Sequence, residues 1–362
     1  MNKSTIVFAA LALLAASCTK TELVTGDAQS AQRGIGFSAY TAKPTKAAQK
    51  DVMNGEFNSF KVSAIGNGAI YFDNETFEKS NGVWVSDPVY FWPAYALNFY
   101  AYNTPANGFV DRSIAVGSQT LTYIPSTTLT EQEDLVAAKA LGQTDPRGAT
   151  GLTFNHYLTQ IVVKALNTSS TYKVEVAGVK IAHMKNKVKY TFSSESTEVA
   201  TDAADETYSS EFTANAKPLT ADAAEVMTAS TDKKWYLVPQ RVTAWDQAND
   251  QTNSNERTYL ALKVKITANN DALKIYPTSG DYAWMAVPVS GVTEFVKGHK
   301  YTFLIKFFQN NGAGYVDPEA PSDINGDGDA NSDKGKPIIG GAIKFNAAVN
   351  PWTNETDIVI SL

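Results

Sequence analysis

The chain is 362 residues long, 43% hydrophobic and 11% aromatic, with a formal net charge of −6 and a single cysteine. That apolar share can fill sizeable cores, and the length allows two domains of ordinary size. The acidic balance, without any Lys/Arg cluster, excludes a nucleic-acid surface.

Residues 1–17 have the layout of an export signal: Lys3 in a positive start, an apolar run from Ile6 to Leu14, then Ala15-Ala16-Ser17. The run is too short for a membrane span, which needs roughly 20 apolar residues. Cleavage between Ser17 and Cys18 would place the cysteine at the new N-terminus. This is the bacterial lipoprotein arrangement, in which membrane lipid is joined to the sulfur, although Ala15 stands where leucine is usual. An ordinary signal followed by a chance cysteine is the alternative, and it leaves an exported thiol without a disulfide partner. A lone arginine, Arg33, followed by Gly34, precedes the first alternating segment.

From there, apolar residues recur every second position in short runs bounded by Gly, Asn, Asp and Pro. Leu97 and Phe99, Ile161 and Val163, and Val174, Val176, Val179 and Ile181 follow this period. So do Leu260, Leu262, Val264 and Ile266, and later Tyr301, Phe303, Ile305 and Phe307. One-sided alternation predicts antiparallel sheets facing a core, hence an all-β chain of sandwiches. In TEQEDLVAAKAL, Thr130 and Glu133 have capping-box spacing, which leaves a helix and a connection into a strand equally open. Residues 193–230, 246–256 and 310–336 read as polar surface excursions. TDPRGATG, at 144–151, predicts a division between domains of 34–149 and 150–362.

Catalytic chemistry has little support. His156, His183 and His299 have no neighbours at metal-ligand spacing, and the known nucleophile and phosphate-binding motifs are missing, so a non-enzyme is expected. DINGDGDANSDKG places Asp323, Asn325, Asp327 and Gly328 at positions 1, 3, 5 and 6 of a calcium loop, with Asp329 following. Lys334 occupies the position of the bidentate acid and Asp333 falls one residue early, so calcium competes with a solvated acidic turn. The aromatic run Tyr90, Phe91, Trp92, Tyr95, Phe99, Tyr100 and Tyr102 is a candidate sugar platform, but its alternation favours core. A surface carbohydrate-binding lipoprotein is therefore the rival reading.

Seven segments in order resemble the fimbrillins of Bacteroidales surface pili. They are FSAYTAKPTKA (37–47), PVYFWPAYALNFYAYNTP (88–105), EDLVAAKA (133–140), LTFNHYLTQIVVKA (152–165), WYLVPQ (235–240), YLALKVKI (259–266) and FVKGHKYTFLIKF (295–307). The resemblance implies two tandem transthyretin-like antiparallel β-sandwich domains and an outer-membrane lipoprotein precursor. It also implies an arginine-specific protease that removes the N-terminal segment, including the lipid and the first strand. Arg33-Gly34 would be the bond cut, removing the lipidated propeptide 18–33, although TELVTG within it offers only Leu23 and Val24 as strand-like apolar residues. Polymerisation with other fimbrial subunits would follow by strand addition to an unpaired sheet edge. Residues 338–362 supply a candidate donor with two stripes: Ile343, Phe345, Ala347 and Val349, then Ile358, Ile360 and Leu362. That donor favours a stalk over a tip or anchor subunit; the alternative is a tail that closes its own domain.

Overall fold

The computed structural model describes residues 33–41, 59–103, 105, 109–229, 233–269, 273–310, 312–340 and 344–351. Ser17, Cys18, Ile343, Ile358, Ile360 and Leu362 lie outside the described residues. The chain is all-β; among the described residues helix is limited to three single 3-10 turns.

The N-terminal half forms β1 (Phe37–Thr41), β2 (Ser59–Gly66), β3 (Ala69–Ser80), β4 (Val83–Ser86), β5 (Leu97–Tyr102), β6 (Phe109–Ala115), β7 (Ser118–Tyr123), β8 (Val136–Gln143) and β9 (Thr150–His156). Two hairpins here have an evident local cause. Asn67-Gly68 and Asn81-Gly82 have positive φ at both residues, the geometry of tight two-residue hairpin turns, and they join β2 to β3 and β3 to β4. Seven strands run in the order β1-β4-β3-β2-β5-β8-β9 and close on themselves. The path closes because β1 lies parallel to β9 over five residue pairs while its Phe37 pairs with Trp84 of β4, a closure that strand alternation did not predict. Alternate side chains fill the barrel. Phe37 is fully buried, with ring centroids 4.8 Å from Phe77 and 5.0 Å from Phe99, and Phe60 lies 4.8 Å from Trp84. The segment with capping-box spacing is a 3-10 turn at Leu129–Glu131 leading into β8.

The C-terminal half begins with β10 (Thr159–Asn167), β11 (Tyr172–Lys185), β12 (Val188–Thr191), β13 (Ser196–Val199) and β14 (Asp205–Glu211). Short strands follow: β15 (Lys217–Pro218), β16 (Ala224–Glu225), β17 (Trp235–Leu237) and β18 (Gln240–Arg241). The last group is β19 (Tyr259–Ala268), β20 (Lys274–Tyr276), β21 (Ala283–Pro288), β22 (Glu294–Phe295), β23 (His299–Phe307), β24 (Tyr315–Val316) and β25 (Lys344–Pro351). One sheet is ordered β16-β10-β23-β25 and the other β14-β11-β19-β21-β24. They share one apolar core, in which Ile161, Val163, Val176, Ile181, Leu262, Val264, Phe303 and Ile305 are fully buried. These include most of the residues picked out by alternation.

The expected division at 149/150 does not coincide with a break in the sheets. β9 lies beyond it in sequence and within the N-terminal barrel in space. A further sheet, β13-β12-β7-β6, spans both halves, with Val188–Thr191 of β12 paired to Thr120–Tyr123 of β7. Its core includes Leu121, Tyr123, Val188, Tyr190 and Phe192, all fully buried. The Tyr157 and Tyr190 rings lie 3.8 Å apart and the Tyr190 hydroxyl donates to that of Tyr157 at 2.9 Å. Burying side chains of this size stabilises by ~1.5–3 kcal/mol each. The two halves are thus joined by a packed core as well as by the chain.

Arg112 of β6 clasps Asp73 of β3 in a bidentate pair, with both N···O distances 2.8 Å, linking the spanning sheet to the barrel. The Arg112 hydrogen bond holds the Asp73 carboxyl below its usual range, although partial burial opposes it. A depressed folded-state pKa stabilises above the unfolded value, near 3.9, and that gain disappears as pH falls through the folded value. Arg112→Ala should therefore lower stability by about 0.5–1 kcal/mol at pH 7, given that the pair is partly exposed. Denaturant titrations should show this gap narrowing below about pH 4; a gap independent of pH would contradict the assignment.

Candidate functional site

Arg33 and Gly34 lie where the described chain enters the barrel. The Arg33 carbonyl accepts from the Trp92 amide at 2.9 Å, and the Ile35 amide donates to the Tyr90 carbonyl at 2.7 Å. The Arg33 side chain is 53% exposed, with Nε 3.7 Å from Asp145. This side chain is open to solvent, but the residues just beyond it are fixed: Ile35 and Phe37 are almost completely buried. Cutting Arg33-Gly34 therefore leaves β1 in the barrel. Near this point β1 meets β4 through the single pair Phe37–Trp84, whereas its other edge has a five-pair ladder.

At the other terminus, β25 pairs antiparallel with β23 over eight positions, from His299–Pro351 to Lys306–Lys344. It is the outermost strand of its sheet, so its second edge forms no ladder among the described residues. Ala347 packs partly against the sandwich core, Ala348 is buried, and Val349 is 46% exposed. Phe345 belongs to β25 by its backbone.

In the acidic loop, Asp323 accepts from the amides of Asn325 and Gly326 through Oδ1, and from Gly328 through Oδ2. These amides, led by that of Gly328, hold its carboxyl below the usual range. Asn325 donates to Asp327, and Asp329 caps the 3-10 turn at Ala330–Asp333. Asp333 is fully buried, accepting from the Ile324 amide at 3.0 Å and pairing with Lys336 at 3.0 Å. The loop is thus ordered by its own amides, and Asp333 faces a lysine.

Trp92, Phe99, Tyr100 and Tyr102 of the aromatic run are buried, and Tyr90 packs on the barrel core. Phe91 and Tyr95 alone are prominently exposed, so most of the run builds the interior. The histidines have partners that sequence spacing did not reveal. His156 bonds Asp134, His299 approaches the Lys297 carbonyl at 2.9 Å, and His183 lies between Asp205 and Glu319. The groups around His183 are remote in sequence and meet only through sheet packing. No helix among the described residues is long and apolar enough to cross a membrane.

A family model described as fimbrillin-like matches residues 24–319. No curated protein matches the chain. Among solved structures it is similar to a fimbrial protein from Bacteroides vulgatus, with TM-score 0.58 and 18% identity, covering 89% of this chain and 100% of that one. It is also similar to a candidate cell adhesion protein from Bacteroides ovatus, with TM-score 0.50 and 13% identity, covering 90% of this chain and 100% of the other. At these identities the likeness is one of fold.

Brief treatment of the full chain with an arginine-specific protease should create an N-terminus at Gly34, together with a cut after exposed Arg147. Arg33→Ala should abolish only the first. Because β1 is retained, trimming at Gly34 in an Arg147→Ala background, which lacks the second cut, should leave the melting temperature within about 2 °C, since 1 kcal/mol shifts larger domains by about 2–4 °C. A much larger fall would mean that the removed segment belongs to the folded core.

Proposed function

This chain belongs to the fimbrillin-like family, and from that premise we propose that it is a structural, non-catalytic subunit of a cell-surface fimbria that supports adhesion. It would be exported through the periplasm as a lipoprotein, held in the outer membrane through lipid on Cys18, and released for assembly by an arginine-specific protease cutting Arg33-Gly34. The family's paired transthyretin-like domains would correspond here to the barrel and the sandwich. A stalk position is favoured, with other fimbrial subunits as partners.

The observation that carries this reading is the one-sided attachment of β25, an edge strand with a single hydrogen-bonded neighbour among the described residues. Among the described residues, leaving the parent sheet breaks that one ladder and uncovers Ala347 and Ala348. A receiving sheet would restore it by strand addition. The weakly paired seam between β1 and β4, beside Arg33, is the place we assign to the incoming segment. Because β1 itself is buried, proteolysis would remove residues 18–33 and leave every strand of the barrel in place. Calcium has no assigned role in this scheme.

Thr302 and Ala348 are paired residues of β23 and β25. Directly opposed antiparallel residues have Cα atoms about 4.5–5.5 Å apart, within disulfide range. Thr302→Cys with Ala348→Cys should lock β25 onto its own sheet. Oxidised, this variant should yield Gly34-trimmed monomers; reduced, it should recover the ladder of polymers seen with the unaltered chain. Undiminished polymerisation with the disulfide formed would eliminate β25 as the exchanged strand.

Assembly should also require removal of residues 18–33. Arg33→Ala should leave a membrane-attached, unpolymerised chain on immunoblots of cell fractions. Normal laddering by that variant would remove the processing step from the scheme.

A further inference from the structure

We infer that His183, Asp205 and Glu256 form a binding site for a divalent transition metal of the zinc type, at the wall of a cleft in the C-terminal sandwich. One ligand atom from each residue lies within 4.8 Å of the others. They come from three separate segments. His183 sits where the register between β11 and β14 shifts, with φ of +58°, so the strand is locally bent and its imidazole re-aimed. Asp205 opens β14. Glu256 comes from the polar excursion before β19.

That excursion is held in shape. Asp250 accepts from the amides of Ser254 and Asn255, and Asn253 exchanges two side-chain hydrogen bonds with the Arg257 backbone. Glu256 therefore projects from a fixed frame, and its carboxylate forms no ion pair among the described residues. The three ligands border a cleft of about 530 Å³, with Lys185, Arg241 and Arg257 also on its walls. Room remains for water, or a donor atom from another molecule, to complete four-coordination.

The polar arrangement suits a metal-bound imidazole. Nε2 of His183 bonds the Glu319 carboxylate, while Nδ1 faces Asp205 Oδ2 at 2.7 Å. A carboxylate on one ring nitrogen orients the other and raises its basicity, the usual companion of a histidine ligand. Zinc at about 2.1 Å from both Nδ1 and Oδ2, in tetrahedral geometry, needs an N···O distance of about 3.4 Å. Asp205 must retreat by less than an ångström, and exposed Glu256 must swing inward. Lys185 approaches Asp205 through Oδ1, at 3.6 Å, leaving Oδ2 to the ion. One imidazole with two carboxylates suits zinc or cobalt better than calcium, which takes six to eight oxygens.

The test is titration of the full chain with ZnCl2 by calorimetry and with CoCl2 by visible absorption. One Zn²⁺ should bind per chain, with Co²⁺ giving a tetrahedral spectrum and CaCl2 failing to compete. Glu256→Gln should weaken binding at least tenfold without lowering the metal-free melting temperature. His183→Gln should do the same if it folds, and Glu256→Gln decides the matter if it does not. Asp323→Asn with Asp327→Asn should leave zinc binding unchanged. Absence of binding, binding indifferent to Glu256→Gln, or binding abolished by the acidic-loop variant would overturn the proposal. In that event His183 is simply an imidazole held between Asp205 and Glu319.

Discussion

The ladder between β7 and β12 is the interaction on which the arrangement depends, because it makes one sheet out of strands from both halves. A hairpin of two strands is marginal alone in water. Here β6-β7 and β12-β13 each supply the partner that the other lacks, and the apolar side chains of both meet beneath them. Tyr190 carries both functions: its backbone pairs with Leu121, while its ring and hydroxyl engage Tyr157 beside the chain crossing. The hydroxyl satisfies a polar group that would otherwise be costly to bury.

Against this tight centre, the first and last described strands each have one edge with little or no pairing among the described residues. The strand after Arg33 is anchored inside the barrel by Phe37, but its edge toward β4 has one pair. The last described strand is paired along one edge. Such edges are hazards unless they are covered, twisted away or used. In the assembly proposed above, these edges would be the ones that join other chains, while the packed interior stays fixed.

Much of the interior was legible from alternation alone. Val174, Val176, Val179 and Ile181 sit in β11 with their apolar side chains in the sandwich core, as do the corresponding residues of β19 and β23. The closing of the barrel was not legible, because a parallel pairing between residues 37–41 and 150–154 joins segments more than a hundred positions apart. Thr130–Leu141 stayed ambiguous for a local reason: its Ala-rich composition suits a helix, yet Val136, Ala138 and Ala140 are needed on the inner face of the barrel wall, so the connection into a strand is the reading that holds. The surroundings of His183 were hidden in the same way as the barrel closure. Asp205, Glu256 and Glu319 lie at least 22 positions from it, and no spacing rule connects them. Asp323 and Gly328 were the opposite case, since their mutual hydrogen bond follows from their separation in the loop.

The passage from β9 to β10 consists of Tyr157 and Leu158, both almost fully buried. A crossing this short and this deeply packed cannot act as a hinge. If such molecules are strung end to end, each one would move as a single stiff body, and any bending of the string would be taken up at the joints between bodies. Compliance of any such string would then be set by its joints, and very little by the elasticity of the bodies themselves.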